Sequence, residues 1–226
     1  MNKGYIFDYG GTLDTGGQHW GMLLWHAFER HQVPVSESQF RDAYVYAERT
    51  LGRNKIIQPT DTFLQTLKAK VQLELTYLNN ESYTDAIVSD VYERTKSQTA
   101  LSRRVLMQMK ASPMVLVSNF YGNISVVLQE FGLDGIFAEV IESAVVGIRK
   151  PDPQIFLLGV DALGMKPEEV TVVGDSLEKD IIPAKRAGCH TVWLKGEGWT
   201  NARDGENQAD RVIMTLDELL QNNKTI

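Results

Sequence analysis

Four polar side chains in this sequence share a setting that suits chemistry. Asp8, Ser118 and Asp175 end or closely follow short runs rich in valine, isoleucine, leucine and phenylalanine, which are typical of buried strands. Lys150 lies beyond a fourth candidate strand. A carboxylate can accept a phosphoryl group as a nucleophile, while a hydroxyl and a lysine can hold the oxygens of that group. These residue types therefore predict phosphoryl chemistry.

The residues near Asp8 and Asp175 also predict a metal site and a backbone that can approach a ligand closely. Asp175 is followed by Asp180, and paired carboxylates of this kind can hold Mg²⁺, which prefers oxygen ligands. Gly10 and Gly11 closely follow Asp8, and glycine lets bare backbone N–H groups come near a ligand. Because the carboxyl ends of parallel strands share one edge of a sheet, we expect these groups to converge there.

The elements that position these groups follow an α/β pattern with one interruption. Strands alternate with helices from about residue 113 onward, which predicts a parallel, doubly wound, Rossmann-like sheet. Residues 16–99 instead read as four helices without a strand. We therefore expect an α/β core of residues 1–15 and 100–226, with an inserted all-helical cap domain of residues 16–99.

Several finer expectations concern the bounds of individual elements. Ser36 and Gln39 resemble a capping box that opens a helix. The next helix is expected to start after Pro59 with Asp61 in its first turn, and the fourth to cover about residues 84–96. The remaining expectations are a strand at 137–141, a helix at 179–187, edge strands at 191–194 and 211–214, a loop at 196–207 and a final helix at 216–221.

Composition limits the partners of the chain. The formal net charge of −6 argues against a general nucleic-acid binder, and 43% hydrophobic residues can form a substantial core. The sequence has no apolar stretch of the roughly twenty residues needed to span a membrane, and its first apolar run is too short for a signal peptide. Cys189 is the only cysteine, which fits a reducing compartment. We expect a soluble, cytoplasmic monomer or weak dimer that binds neither nucleic acid nor membrane.

Four motifs in order resemble a known family. They read D-Y-G-G-T-L-D from Asp8, V-S-N around Ser118, G-I-R-K-P-D-P-Q-I-F around Lys150, and V-G-D-S-L-E-K-D around Asp175. Their order and spacing resemble the haloacid dehalogenase superfamily over nearly the whole chain. The position of the helical insert resembles the branch with a cap after the first core strand.

The resemblance implies roles for the residues that contact phosphate. Asp8 would be the nucleophile that forms an aspartyl phosphate, and Lys150 would bind phosphate and orient Asp8. Ser118 would be a further phosphate ligand. Backbone N–H groups near Gly10, Gly11 and Asn119 would complete the cradle for the phosphoryl oxygens. The substrate would be a small phosphorylated metabolite.

The resemblance also implies a Mg²⁺ site. Asp8 and Asp175 would be direct ligands, and Asp180 would act through water or from further away. The family uses the backbone carbonyl two residues after the nucleophile, and Gly10 retains that carbonyl.

Gly10 is where the sequence departs from the family. Phosphatases of the superfamily carry an aspartate there that protonates the leaving oxygen and then activates water. General acid–base groups typically contribute about 10²–10⁴-fold to a rate. The sequence therefore predicts a hydrolase that prefers weakly basic leaving groups. His19, near the start of the insert, is a candidate replacement acid because histidine titrates near neutrality.

Other interpretations of Gly10 remain open in the sequence. Dehalogenases lack the second aspartate, but they also lack the metal carboxylates that this chain keeps as Asp175 and Asp180. Phosphonoacetaldehyde hydrolases lack it as well, and they use a cap lysine as a Schiff base, for which Lys55 is the nearest candidate by position. A third interpretation is a binding or regulatory protein that retains the fold and turns over slowly.

Overall fold

The computed structural model describes residues 4–199 and 208–221, and its centre is one six-stranded parallel sheet. The strand order is β3-β2-β1-β4-β5-β6. The strands are β1 (Gly4–Phe7), β2 (Met114–Ser118), β3 (Glu139–Glu142), β4 (Val170–Gly174), β5 (His190–Leu194) and β6 (Arg211–Ile213). The chain builds outward from β1 on one side through β2 and β3, and on the other through β4 to β6. The predicted doubly wound α/β fold is confirmed, and β1 ends at its switch point.

Both faces of the sheet are buried. Successive residues of a strand point to opposite faces, and Phe7 and Ile6 accordingly belong to two separate apolar clusters. The helices are α1 (Trp20–Arg30), α2 (Glu37–Arg53), α3 (Phe63–Tyr77), α4 (Thr84–Gln108), α5 (Ile124–Glu130), α6 (Ser143–Val146), α7 (Gln154–Leu163), α8 (Ile182–Arg186) and α9 (Glu218–Gln221). Ile155 and Phe156 of α7 pack with Ile6, whereas Ile124 of α5 packs on the Phe7 side. Helices therefore cover both faces of the sheet, and the edge formed by the carboxyl ends of its strands remains available for a functional site.

Four helices, α1 to α4, fill the chain between β1 and β2, and the described residues of that segment contain no strand. The capping box of Ser36 and Gln39 is confirmed. The helix expected after Pro59 instead begins at Phe63, because the Thr62 side chain caps it, so Asp61 lies outside its first turn.

The fourth helix is much longer than predicted. It continues past residue 96 to Gln108, because its sequence has neither glycine nor proline and keeps burying side chains such as Thr99 and Leu106. It thus crosses the boundary expected at residue 99 and carries the chain directly to β2. The division into a core and a cap stays a prediction.

Smaller differences occur in the second half. The third strand covers Glu139–Glu142, and β5 lies between β4 and β6, so it is not an edge strand. The helix expected at 179–187 is a π-helical turn, Leu177–Ile181, that leads into α8. The final helix is only Glu218–Gln221. Of the loop expected at 196–207, residues 200–207 lie outside the described residues. Within the described ranges, no helix combines the length and apolar character needed to cross a membrane.

Candidate active site

Asp8 lies directly beyond β1 and is paired with a buried lysine. The Lys150 ammonium contacts Asp8 Oδ1 and donates to Asp180 Oδ1 at 2.7 Å. Asp180 Oδ2 accepts from the Ser176 backbone N–H at 3.0 Å. The side chains of Asp8, Lys150 and Asp180 are each at most 5% exposed. The Lys150 ammonium is thus held between the carboxylates of Asp8 and Asp180 at the carboxyl edge of the sheet.

Thr12, which was not predicted as a site residue, connects two of the predicted carboxylates. Thr12 Oγ1 lies 2.9 Å from Asp8 Oδ2 and 3.0 Å from Asp175 Oδ1, and it accepts from the Asp175 backbone N–H at 3.0 Å. A hydroxyl has only one proton, so it can donate to one carboxylate at a time. The sequence feature that could have indicated this role is the position of Thr12 in the turn that follows Asp8.

The acidic groups are close enough to share a cation. Asp8, Asp175 and Asp180 each offer a carboxylate oxygen within 4.8 Å of the others. Burial raises the pKa of Asp8 to about 6, although Lys150 opposes this. Burial also raises the pKa of Asp175 well above its usual range, and the charges of Asp180 and Asp8 add to the effect. A hard divalent cation would relieve this repulsion, so the donor set fits Mg²⁺.

The two adjacent glycines differ in what they tolerate. Gly11 has φ +102°, and a Cβ there would lie 2.5 Å from the Asp175 carboxylate, so position 11 requires glycine. Gly10 has no such φ, and a Cβ there would lie 3.8 and 3.9 Å from Trp20 atoms, which is ordinary contact. Sterics therefore do not exclude a side chain at position 10.

Asp14 is a further buried carboxylate, in the turn that contains Gly10 and Gly11. It accepts from the Gly11 backbone N–H at 2.7 Å and from Trp20 Nε1 at 2.9 Å. Burial raises the pKa of Asp14 to about 7, against the effect of these two hydrogen bonds. Asp14 thereby fixes the Gly11 turn and the indole that borders Gly10. Asp14 was not predicted as a site residue from the sequence.

Of the two predicted phosphate ligands at the end of β2, Asn119 lines the cavity and Ser118 does not. Asn119 lines the cavity above the sheet edge, and its side chain bonds to the backbone of Lys150. Ser118 ends β2, is 1% exposed and is not among the residues that line the cavity. Lys150 itself comes from the loop between α6 and α7.

A cavity of about 440 Å³ joins the sheet edge to the helical segment. Asp8, Lys150 and Asp175 form its floor. The opposite wall comes mainly from α1, α2 and α3 and from the loops after β2 and β5: His19, Trp20, Tyr44, Glu48, Phe63, Lys70, Tyr121 and Trp199. Its volume is in the usual range for small-molecule sites.

His19 and Lys55, which the sequence offered as candidate catalytic groups, lie in surroundings that do not suit those roles. His19 Nδ1 accepts from the Gly21 backbone N–H at 3.0 Å and caps α1. Burial lowers the pKa of His19 to about 4, so the ring is neutral at pH 7, which does not favour it as a proton donor. Lys55 is exposed between α2 and α3 and does not line the cavity.

Comparison with known proteins agrees with this geometry. A family model described as haloacid dehalogenase-like hydrolase matches residues 2–188. The chain therefore belongs to the haloacid dehalogenase-like hydrolases. In solved structures, the HAD-hydrolase YfnB from Bacillus subtilis has the same fold, with a TM-score of 0.58 at 16% identity, covering 97% of each chain.

Relatives with named activities match a shorter part of the chain. Glyceraldehyde 3-phosphate phosphatase of Pyrococcus furiosus is 41% identical over 90 residues, or 39% of this chain and 38% of that protein. Phosphoserine phosphatase of Thermus thermophilus is 44% identical over 63 residues, or 28% and 25%. The matched part is well under half of each of these relatives.

Proposed function

We propose that the protein is a Mg²⁺-dependent phosphatase that acts on a small phosphorylated compound through an aspartyl phosphate at Asp8. The observation that carries this proposal is the setting of Asp8, a buried carboxylate at the floor of the cavity, held by Lys150 and Thr12 beside Asp175. The two relatives above are named as phosphatases of small phosphorylated molecules, which supports the same class of substrate.

The chain's own residues would divide the reaction into two displacements. An oxygen of Asp8 bonds to phosphorus while the bond to the leaving oxygen breaks, and that oxygen keeps the electron pair. Lys150 orients Asp8 and, with the N–H groups near Gly10 and Asn119, balances charge on the phosphoryl oxygens. Ser118 lies outside the cavity lining and the Gly11 N–H is bonded to Asp14, so their roles as phosphate ligands stay predictions. The oxygen of water then bonds to phosphorus while the bond from phosphorus to the Asp8 oxygen breaks. The Asp8 carboxylate is restored, and the protons of water leave with inorganic phosphate or pass to solvent.

Magnesium would be held by Asp8, the Gly10 carbonyl and Asp175, with Asp180 acting through water. When bound there, it supplies charge neutralisation for the phosphoryl group. Lys150 contacts one oxygen of Asp8 and one of Asp180, so the chain itself balances part of the negative charge of these carboxylates.

The absence of a carboxylate at position 10 sets the range of leaving groups. His19 is neutral and its Nδ1 caps α1, so it does not supply the missing acid. A strongly basic alkoxide would leave slowly, whereas an aryl, acyl or enol oxygen needs little help.

The alternatives receive less support. A Schiff-base enzyme of the phosphonoacetaldehyde hydrolase type needs an uncharged lysine amine in the cavity. Lys55 is outside it. Of the lysines that line the cavity, Lys70 and Lys150 are ion-paired with carboxylates, and Lys179 is exposed. A purely regulatory protein would not need Asp8, Lys150 and Asp180 bonded together in the arrangement found.

A panel assay tests the proposal. Phosphate release from p-nitrophenyl phosphate and acetyl phosphate is measured with MgCl₂ and with EDTA, for the wild type, Asp8→Asn and the exposed control Asp42→Asn. We expect Mg²⁺-dependent release that Asp8→Asn lowers by at least about 10³-fold and Asp42→Asn leaves unchanged. Unchanged release in Asp8→Asn, or acetaldehyde formation from phosphonoacetaldehyde with inactivation by borohydride, would contradict it.

A further inference from the structure

The wall of the cavity opposite Asp8 contains an ion pair that the proposed reaction does not use. Lys70 of α3 is 7% exposed, and its ammonium contacts the carboxylate of Glu48 on α2. The ammonium also lies 4.3 Å from the centre of the Tyr44 ring, and the Tyr121 hydroxyl donates to Glu48 Oε1 at 3.2 Å. All four residues line the same cavity as Asp8.

Both members of the pair are charged at neutral pH. Burial lowers the pKa of Lys70, but Glu48, Tyr121 and Glu74 together have the larger effect and raise it. Burial likewise raises the pKa of Glu48, but Lys70, Tyr121 and Lys179 together have the larger effect and lower it. Glu74, packed nearby, has its pKa raised to about 8 by burial and is mainly neutral at pH 7. The pair thus adds no net charge to the cavity.

An ion pair without net charge, which offers both a hydrogen-bond donor and an acceptor, favours an uncharged polar ligand. The ammonium donates to a hydroxyl or carbonyl oxygen, and the carboxylate accepts from a hydroxyl. Glu48 is 39% exposed at its side chain, so it remains reachable from the cavity. A ligand carboxylate would have to compete with Glu48 for Lys70 and would meet the negative charge of Glu48. Like-charge contacts of this kind are a common means of rejecting a ligand.

We propose that Glu48, Lys70 and Tyr121 bind the leaving group and select phosphate esters of uncharged, hydroxylated compounds over esters that carry a carboxylate. This inference rests on the proposed phosphatase function. Gly10 adds a second requirement, a leaving oxygen less basic than an ordinary alkoxide. A sugar phosphorylated at its anomeric carbon meets both requirements, because its leaving group is a polyhydroxylated hemiacetal.

The test compares glucose 1-phosphate with 2-phosphoglycolate. Wild type should have the larger kcat/KM for glucose 1-phosphate. Glu48→Gln removes one negative charge, frees Lys70 for an anion and nearly keeps the side-chain shape. The ratio of the two kcat/KM values should therefore move toward 2-phosphoglycolate by about 10-fold or more, mainly through KM. The matched control is Lys68→Gln, on the same helix but 51% exposed, which should leave the ratio unchanged.

Tyr121→Phe is a second variant that does not alter the charge of the pair. It should raise KM for glucose 1-phosphate by about 3- to 10-fold and change KM for 2-phosphoglycolate less. Calorimetric binding of glucose 1-phosphate to Asp8→Asn, with and without Glu48→Gln, gives a readout that does not depend on turnover.

The possible outcomes separate the two proposals. A wild type that prefers 2-phosphoglycolate, or ratios unchanged in both folded variants, overturns the leaving-group assignment and leaves the phosphatase intact. Absence of phosphate release from every ester, including p-nitrophenyl phosphate, overturns the phosphatase function itself. If Glu48→Gln does not fold, Tyr121→Phe decides the assignment.

Discussion

Asn119 and Lys150 exchange two hydrogen bonds between a side chain and a backbone. Asn119 Oδ1 accepts from the Lys150 N–H at 2.9 Å, and Asn119 Nδ2 donates to the Lys150 carbonyl at 3.0 Å. The amide thereby fixes the loop that delivers the Lys150 ammonium to Asp8. The residue after Ser118 connects β2 with the loop that follows α6.

Replacing Asn119 should misplace Lys150 without removing its charge. Asn119→Ala is expected to lower kcat by about 10-fold or more, because a less well-held lysine orients Asp8 poorly. Asn119→Asp, which can accept from Lys150 but cannot donate to it, should fall between wild type and Asn119→Ala. The exposed control Asn54→Ala should match the wild type. Steady-state kinetics with p-nitrophenyl phosphate check this, and an unchanged kcat in Asn119→Ala would be inconsistent with the positioning role.

The two glycines should respond in opposite ways to alanine. Gly11→Ala places a Cβ at φ +102° and 2.5 Å from the Asp175 carboxylate, so we expect loss of activity and a lower melting temperature. Gly10→Ala has ordinary contacts and should melt close to the wild type. Thermal unfolding of both variants measures the difference. Equal melting temperatures would contradict the described turn.

Magnesium affinity should depend on Asp175 and on pH. Asp175→Asn is expected to weaken Mg²⁺ binding markedly, and Asp42→Asn should not. Burial raises the pKa of Asp8 to about 6 and that of Asp175 well above its usual range. Metal binding must displace those protons, so the affinity of the wild type should increase from pH 5.5 to pH 7.5. Calorimetry at both pH values measures this, and unchanged affinity in Asp175→Asn would remove Asp175 from the ligand set.

Glu74 should make the protein less stable as the pH rises. Glu74 is fully buried, neither carboxylate oxygen has a hydrogen-bond partner, and burial raises its pKa to about 8. The folded state therefore binds a proton that the unfolded state releases from about pH 4.5 upward. This group lowers the free energy of unfolding by up to about 1.4 kcal/mol per pH unit until pH passes about 8.

Glu74→Gln should remove that component. Asp8 and Asp14 have raised pKa values and contribute pH dependence of the same sign in both proteins, so the informative quantity is the difference between variant and wild type. Urea unfolding from pH 5 to pH 9 should show Glu74→Gln gaining stability relative to the wild type as the pH rises. A constant difference across that range would show that Glu74 does not titrate with a raised pKa.

The sequence predicted the sheet because its strands are short, apolar and separated by helices, and the order of motifs follows the order of strand ends. It also predicted the convergence of Asp8, Lys150 and Asp175, since parallel strands present their carboxyl ends at one edge. The length of α4 was missed because an amphipathic helix can change its packing partner without a break in sequence. Thr12 and Asp14 were missed because their partners depend on the geometry of the Gly11 turn.

The residues that form the cavity wall opposite Asp8 could not be predicted from the sequence, because their contacts also depend on packing. Lys70 and Glu48 lie on different helices, 22 positions apart, and only the packing of α2 against α3 brings them together. Lys55, chosen by its position in the sequence, lies on the surface instead. The expected cytoplasmic location and the expected monomer or weak dimer stay predictions.

The central claim is that Asp8 is a working nucleophile that lacks only an acid and base at position 10. The direct measurement is kcat/KM against leaving-group pKa for a series of aryl and alkyl phosphates, in wild type and in Gly10→Asp. Wild type should show a steep decrease as the leaving group becomes more basic, and Gly10→Asp should flatten it. Turnover of alkyl phosphates should rise by about 10- to 10³-fold in Gly10→Asp.

The geometry allows this substitution, because Gly10 lies outside the left-handed region and its Cβ position is open toward Trp20. Circular dichroism and thermal unfolding of Gly10→Asp confirm that the variant is folded before rates are compared. A wild-type series without leaving-group dependence, together with no gain in folded Gly10→Asp, would contradict the claim.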